Sequence, residues 1–225
     1  MTEDVGRVVV APSLYAAPLL RIGDAVRAVT DGGADAVHLD VMDGHFVGPI
    51  SFGNLIVQAV SAATHLPLDV HLMVSNPVSH LPWLADAGVR GVTIHVEAFE
   101  GDQIGLIEAV REIRKRGMRA GVALKPATGV HAIAGLVGEL DHVLVMTVEP
   151  GSSGQPFMRA MLSKVSEVAD RFGHDIEVGV DGGINASTAR EALDAGARYL
   201  VAGSSVFAAS IEGVRGAIDA LRTSE

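Results

Sequence analysis

The sequence has no cysteine, which excludes disulfides and thiolate metal sites. Aromatic residues are scarce at 4% against 48% hydrophobic overall. Packing therefore falls to Ala, Val, Leu and Ile, as it does where helices lie closely on parallel strands. Positive charge is also in deficit: 17 Lys and Arg face 27 Asp and Glu, a formal net charge of -10 at pH 7. A field of that sign repels nucleic acid and anionic membrane surfaces and argues against both as partners. No apolar run reaches about 18 residues, and no signal-type leader opens the chain. The expectation is a soluble, cytoplasmic protein. Its 26 glycines are scattered rather than gathered into a linker, so residues 1–225 read as one domain.

A regular alternation runs through the chain. Short β-branched runs fall at Val8–Ala11, Ala36–Leu39, Leu68–Leu72, Gly91–Ile94, Ala120–Leu124, Val143–Met146, Ile176–Val180 and Tyr199–Ala202. Between them lie amphipathic stretches, among them Leu19–Thr30, Leu55–Ala62, Val78–Ala87, Gln103–Arg116, Met158–Arg171 and Ala186–Ala195. Several are followed by glycine, the usual residue just past a helix end, as in Ala87-Gly88, Arg116-Gly117 and Ala195-Gly196. Strands alternating with helices predict βαβ units and a parallel sheet. Eight such units close a (β/α)₈ barrel of the TIM type, with a doubly wound open sheet as the weaker alternative. After Leu124 the pattern thins to a short helix, His131–Leu140.

In such a barrel the strand C-termini and the loops after them form the active face. His38, Asp40 and Met42 are spaced by two at the end of the second run, so they share one face of the strand. His71 and Met73 do the same on the third, and Asp181 ends the seventh. A lone His or Asp at a strand end is more often a cap or a hydrogen-bonding residue. Four on one rim point instead to a site. Two imidazoles and two carboxylates suit a divalent Zn²⁺, Fe²⁺, Mn²⁺ or Co²⁺ ion better than Mg²⁺ or Ca²⁺, which prefer oxygen shells. Met42, Met73 and Met146 read either as barrel filler or as a soft, polarizable pocket lining.

Glycine-containing turns follow the last three strands: Gly151-Ser152-Ser153-Gly154, Gly182-Gly183 and Gly203-Ser204. Barrels often hold phosphate on the loops after strands seven and eight, with backbone N–H groups and a positive helix end as donors. An acidic protein can thus bind a phosphorylated substrate without Lys or Arg. His45, His65, His80, His95, His131, His142 and His174 form no legible constellation, and Lys125 and Glu97 read as solvated or structural.

The runs His38-Leu39-Asp40-Val41-Met42-Asp43-Gly44-His45, Leu68-Asp69-Val70-His71-Leu72-Met73, Met146-Thr147-Val148-Glu149-Pro150-Gly151, Val180-Asp181-Gly182-Gly183 and Ala202-Gly203-Ser204 together resemble the ribulose-phosphate 3-epimerase family. The likeness runs in order from Ala11-Pro12-Ser13 to Val206-Phe207. It implies a (β/α)₈ barrel that interconverts D-ribulose 5-phosphate and D-xylulose 5-phosphate. It also implies His38, Asp40, His71 and Asp181 as metal ligands, with Asp40 and Asp181 as the acid/base pair. By the same resemblance Ser13 and His71 contact substrate, the three methionines line the pocket, and the phosphate sits on the three glycine turns. A homo-oligomer is expected.

The chain departs from the family pattern in three loops. Gly-Phe-Gly-Gly-Gln becomes Gly151-Ser152-Ser153-Gly154-Gln155, Pro-Asn becomes Gly48-Pro49, and Leu14-Tyr15-Ala16-Ala17-Pro18 follows Ser13. A sister epimerase acting on D-allulose 6-phosphate or a cyclitol phosphate is therefore an alternative. A non-catalytic sugar-phosphate-binding barrel is a weaker one, since the metal set and both aspartates are kept. A barrel decarboxylase carries Asp-x-Lys-x-x-Asp, and Asp40-Val41-Met42-Asp43 has no Lys.

Overall fold

The computed structural model describes residues 7–136, 138–208 and 210–222; the remaining positions of the expected 1–225 domain lie outside the described residues. Eight parallel strands run β1 (Val9–Pro12), β2 (Val37–Met42), β3 (Leu68–Met73), β4 (Gly91–His95), β5 (Arg119–Leu124), β6 (His142–Met146), β7 (Glu177–Asp181) and β8 (Tyr199–Ala202). From β2 onward each strand pairs with the next, and β1 pairs with β8. The last seam, between β1 and β2, is made by a single parallel bridge, Ser13 to His38. The expected (β/α)₈ barrel is therefore what forms, and the bridge that closes it joins two of the predicted site residues.

Helices cover the outside: α1 (Ile22–Asp31), α2 (Asn54–Ala63), α3 (Leu81–Asp86), α4 (Gln103–Lys115), α5 (Leu162–Phe172), α6 (Ala186–Asp194), α7 (Ser204–Phe207) and α8 (Val214–Arg222). Three predicted helices open with 3₁₀ turns, at Leu19–Arg21, Pro77–His80 and Arg159–Met161. The thin segment after β5 is 3₁₀ throughout, Val130–Leu136, in place of the expected helix at His131–Leu140. The last helix, α8, carries no strong start signal in the sequence. It is held by Val214, Ile218 and Leu221, one buried stripe against the barrel.

Because a strand alternates its faces, each one divides its side chains between two cores. Outward residues such as Val10, Leu39, Val70, Val122 and Val180 pack under the helices in one continuous layer. Inward residues Ala11, Ala123, Leu144, Met146, Tyr199 and Val201 fill the barrel. The floor of the barrel is polar. The Tyr199 hydroxyl donates to Asp69, and Arg119 Nη2 lies 3.0 Å from Glu177 Oε2. Gly91 and Gly121 leave room for this layer: a methyl at Gly121 would stand 2.5 Å from Thr93 Oγ1, and one at Gly91 would strike the Asp69 carboxylate. Above that floor lies the rim that holds the site.

Candidate active site

His38 and Asp40 on β2, His71 on β3 and Asp181 at the end of β7 converge at the C-terminal mouth of the barrel. Three of them are buried, at 2%, 5% and 0% exposure for His38, Asp40 and His71. The Asp181 side chain is 16% exposed. His71 Nδ1 lies 3.1 Å from Asp40 Oδ1 and 3.5 Å from Asp181 Oδ2; His38 Nε2 lies 3.4 Å from Asp40 Oδ1 and 4.0 Å from Asp181 Oδ2. The two imidazoles thus stand between the two carboxylates. The other Asp40 oxygen, Oδ2, accepts the Ser13 hydroxyl at 2.6 Å.

The backbone under this group is pinned. Ser51 Oγ donates to the Asp40 carbonyl at 2.5 Å and accepts from Met42 N at 2.9 Å. The Asp43 carboxylate accepts from the backbone N–H groups of His45, Phe46 and Ser75, each at 2.8 Å, which joins the β2 loop to the end of β3. Those N–H groups outweigh its partial burial and hold Asp43 well below the usual carboxylate range. Asp43 is therefore a loop anchor.

Charge in the site is mutual. Burial opposes ionisation of Asp40, but His38 and His71 beside it outweigh that and hold it ionised. Burial likewise opposes a charge on His71, yet the Asp181 and Asp40 carboxylates raise its pKa to about 9.

The four residues can hold a metal ion. Each offers one ligand atom, and these atoms lie within 4.8 Å of one another. Two metal–ligand bonds of about 2.0–2.2 Å span up to about 4.4 Å across one ion, so a small adjustment closes the shell. An independent observation points the same way. Both ring nitrogens of buried His38 lack a hydrogen-bond partner among the described residues. Such an orphaned polar atom costs about 1–3 kcal/mol. A ligand bond through Nε2, the nitrogen facing the carboxylates, relieves one of them.

A cavity opens directly above. Asp40 and Asp181 reach its base, with Ser13 beside them, and Met42, Met73 and Met146 form the apolar wall. Gly151 to Gly154, Gly182, Gly183, Gly203 and Ser204 line the other side. All the predicted contact residues except His71 are thus brought to one cavity; His38 and His71 lie beneath it, fully covered. Tyr15, Val148, Gln155 and Ile184 also line it, although the sequence singles out none of them as a site residue. No Lys or Arg is among the lining residues.

The glycine turns are locked from behind. Gly182 and Gly183 take φ of 120° and 67°, and a methyl on Gly183 would meet the Phe157 backbone at 2.7 Å. Only glycine fits there without strain. Thr147 Oγ1 donates to the Gly182 carbonyl at 2.6 Å and Thr188 Oγ1 to the Gly183 carbonyl at 2.9 Å. Asn185 and Thr188 cap α6 reciprocally. The strand-six loop is tied by Gln155 Nε2, which donates to the Glu149 and Ser152 carbonyls at 2.6 and 2.9 Å. Ser152 and Ser153 are exposed at the rim. Gly151 packs against Val47 and Pro49, so two of the altered loops meet each other.

One group that the sequence hid lies behind His71. His95 Nε2 is 2.9 Å from His71 Nε2, and His95 Nδ1 is 2.9 Å from Glu97 Oε2. His95 is fully buried, and burial together with the neighbouring His71 charge outweighs Glu97 and holds its pKa down to about 4. Glu97 is not a solvated surface acid. Burial is outweighed there by His95 and Thr128, which lower its pKa to about 2. The signal was the pair His95-x-Glu97 at the end of β4, unreadable until the register placed it beside His71.

The chain matches the ribulose-phosphate 3 epimerase family over residues 9–207. It is 45% identical over 205 residues to the ribulose-phosphate 3-epimerase of Bacillus subtilis (strain 168), covering 89% of this chain and 93% of that one. To the chloroplastic ribulose-5-phosphate-3-epimerase of Arabidopsis thaliana it is 40% identical over 205 residues, covering 90% and 72%. Among solved structures, tryptophan synthase from Mycobacterium tuberculosis superposes with a TM-score of 0.68 at 16% identity, covering 98% of this chain and 93% of that one. Thiamine phosphate pyrophosphorylase from Pyrococcus furiosus gives 0.65 at 18% identity, covering 98% and 96%. At those identities the two structures speak for the fold alone. The sequence relatives carry the assignment: this chain belongs to the ribulose-phosphate 3 epimerase family.

Proposed function

We propose that this barrel inverts C3 of a ketose phosphate, interconverting D-ribulose 5-phosphate and D-xylulose 5-phosphate. The observation that carries this reading is the placement of Asp40 and Asp181. Two carboxylates on strands β2 and β7 face one another at the base of a single cavity, with glycine turns on one side and methionines on the other.

The reaction needs that placement. Inverting a carbon beside a ketone means removing its proton from one face and returning one on the other. One base cannot serve both faces, so two carboxylates must flank the carbon. Asp40, held ionised by His38 and His71, takes the proton in one direction while Asp181 delivers one to the opposite face. Their roles exchange in the reverse direction. Ser13 keeps Asp40 oriented through its hydroxyl. The methionines offer polarizable, water-excluding contact to the electron-rich enediolate. His38, Asp40, His71 and Asp181 would hold a first-row divalent ion, Zn²⁺, Fe²⁺, Mn²⁺ or Co²⁺, which when bound supplies Lewis-acid stabilisation of the negative charge developing on substrate oxygen.

The phosphate belongs on the glycine turns at Ser152 to Gly154, Gly182-Gly183 and Gly203-Ser204. There backbone N–H groups replace the basic side chains that the cavity lacks. The catalytic unit in this reading is one barrel domain. Its setting is the cytoplasm, in pentose phosphate metabolism. No described helix is long and apolar enough to cross a membrane. The assembly in this reading is a homo-oligomer.

The decisive experiment is turnover of D-ribulose 5-phosphate by metal-reconstituted protein, with D-allulose 6-phosphate as the comparison. Higher kcat/KM for the pentulose supports the reading. Absence of turnover with it, or preference for the hexulose, refutes it.

A further inference from the structure

The geometry points to His95 and Glu97 as positioning residues that set the tautomer of His71 and so present its Nδ1 lone pair to the metal. The assignment rests on the metal reading above and concerns two residues outside the ligand set.

Hydrogen-bond polarity runs from the outside inward. Glu97 Oε1 accepts from Lys125 N at 2.8 Å and from the Thr128 hydroxyl. Its other oxygen, Oε2, faces His95 Nδ1 at 2.9 Å. An ionised carboxylate only accepts, so His95 Nδ1 must carry the proton and donate. Of the two Nε2 atoms, 2.9 Å apart, one must donate; with an ion on His71 Nδ1 the His71 proton sits on Nε2, and His95 Nε2 accepts it. His71 then offers Nδ1, the nitrogen that faces Asp40 and Asp181, to the ion in place of the second proton those carboxylates otherwise hold there. That is the nitrogen a metal needs. Partners of this kind behind a ligating imidazole fix its ring and raise its basicity.

Packing holds the chain of bonds in place. The His71 and His95 rings stack at a centroid distance of 4.9 Å, and Phe46 lies 4.9 Å from His95 on another side. The Lys125 ammonium sits 3.9 Å from the Phe46 ring centroid, capping the group toward solvent.

Glu97→Gln tests the idea with little change of shape. The Lys125 N–H and Thr128 hydroxyl still require an acceptor, so the amide oxygen stays with them and the NH₂ turns toward His95 Nδ1. Every proton in the relay must then move over, and His71 presents an N–H to the metal site. His95→Leu breaks the relay outright. His95→Gln keeps an acceptor for His71 and a donor for Glu97.

Zinc affinity is measured by competition with a chromophoric chelator, using the stripped parent, these three variants and His38→Ala. Thermal melts check folding, and ¹⁵N NMR of the zinc-loaded parent reads the His71 tautomer. Glu97→Gln and His95→Leu should bind zinc about 10- to 100-fold more weakly at a near-parental melting temperature, with most of the affinity recovered in His95→Gln. His71 should carry its proton on Nε2. Parental affinity in Glu97→Gln, equal loss in His95→Gln and His95→Leu, or a proton on His71 Nδ1 in the zinc-loaded parent overturns the assignment alone. Failure of the parent to bind zinc, or undiminished binding by His38→Ala, overturns the metal reading and the relay with it.

Discussion

Asp40→Asn separates the two-carboxylate mechanism from simpler roles for this residue. In the structure Oδ1 faces His71 at 3.1 Å and Oδ2 accepts from Ser13 at 2.6 Å. Asparagine keeps both positions: its oxygen can face the imidazoles and its nitrogen can face Ser13, whose hydroxyl turns to accept. Shape survives, while the charge and the proton acceptor are lost. Loss of general acid–base catalysis lowers kcat by about 10²–10⁴, or about 3–5 kcal/mol at about 1.36 kcal/mol per tenfold. Ser13→Ala removes only one hydrogen bond to a buried carboxylate, about 1.5–3 kcal/mol. Its loss is therefore at most about 10- to 150-fold. The assay is epimerisation followed by NMR in D₂O, with metal content measured for each variant so that lost ligation is not mistaken for lost proton transfer. Each carboxylate serves one face of C3. Asp40→Asn should therefore still exchange the C3 proton of one epimer, and Asp181→Asn that of the other. Near-normal turnover by either Asn variant, exchange of both epimers by both, or a slower Ser13→Ala than Asp40→Asn would refute the reasoning.

Other consequences can be checked more quickly. Chelation should abolish epimerisation and a first-row divalent ion should restore it; full activity in rigorously metal-free protein contradicts the His₂Asp₂ assignment. Gly183→Ala places a methyl against the Phe157 backbone at φ 67°, with a strain of about 1–3 kcal/mol. It should raise KM for the sugar phosphate and lower Tm, and an unchanged KM removes that turn from the phosphate site. Glu177 on the barrel floor is faced by Arg119 and His142, with Asp69 and Tyr199 nearby. Burial opposes its charge, but His142 and Arg119 outweigh it and lower its pKa from 4.5 to about 2. A pKa depressed in the folded state contributes stability above the unfolded value, and that stability is lost as pH falls through the folded one. Denaturant titrations from pH 6 to 2 should show the parent's advantage over Glu177→Gln shrinking on the acid side; a constant difference rules this out.

Much of the molecule is legible in the order of its residues. Strand side chains repeat every two residues, so His38, Asp40 and Met42, or His71 and Met73, have to share a face once their runs are strands. The count of alternating runs then implies closure, and the barrel rule places those faces at one rim. Boundaries are less secure where 3₁₀ turns replace α-helix, as at Val130–Leu136, because a short run carries no distinctive period.

Local and periodic features follow from the chain alone: the strand–helix alternation, the shared strand faces of the ligands and the glycine turns after the last three strands. Which groups from distant strands complete each other's hydrogen bonds is settled only when the barrel closes. Asp69 meets Tyr199 across 130 residues, Asp40 meets Ser13 at the closing seam, and His71 meets His95 at the end of the neighbouring strand, which in turn meets Glu97. No spacing announces such pairs. A buried polar atom takes its partner from the register of the closed barrel, and that register is set by the ring of strands as a whole.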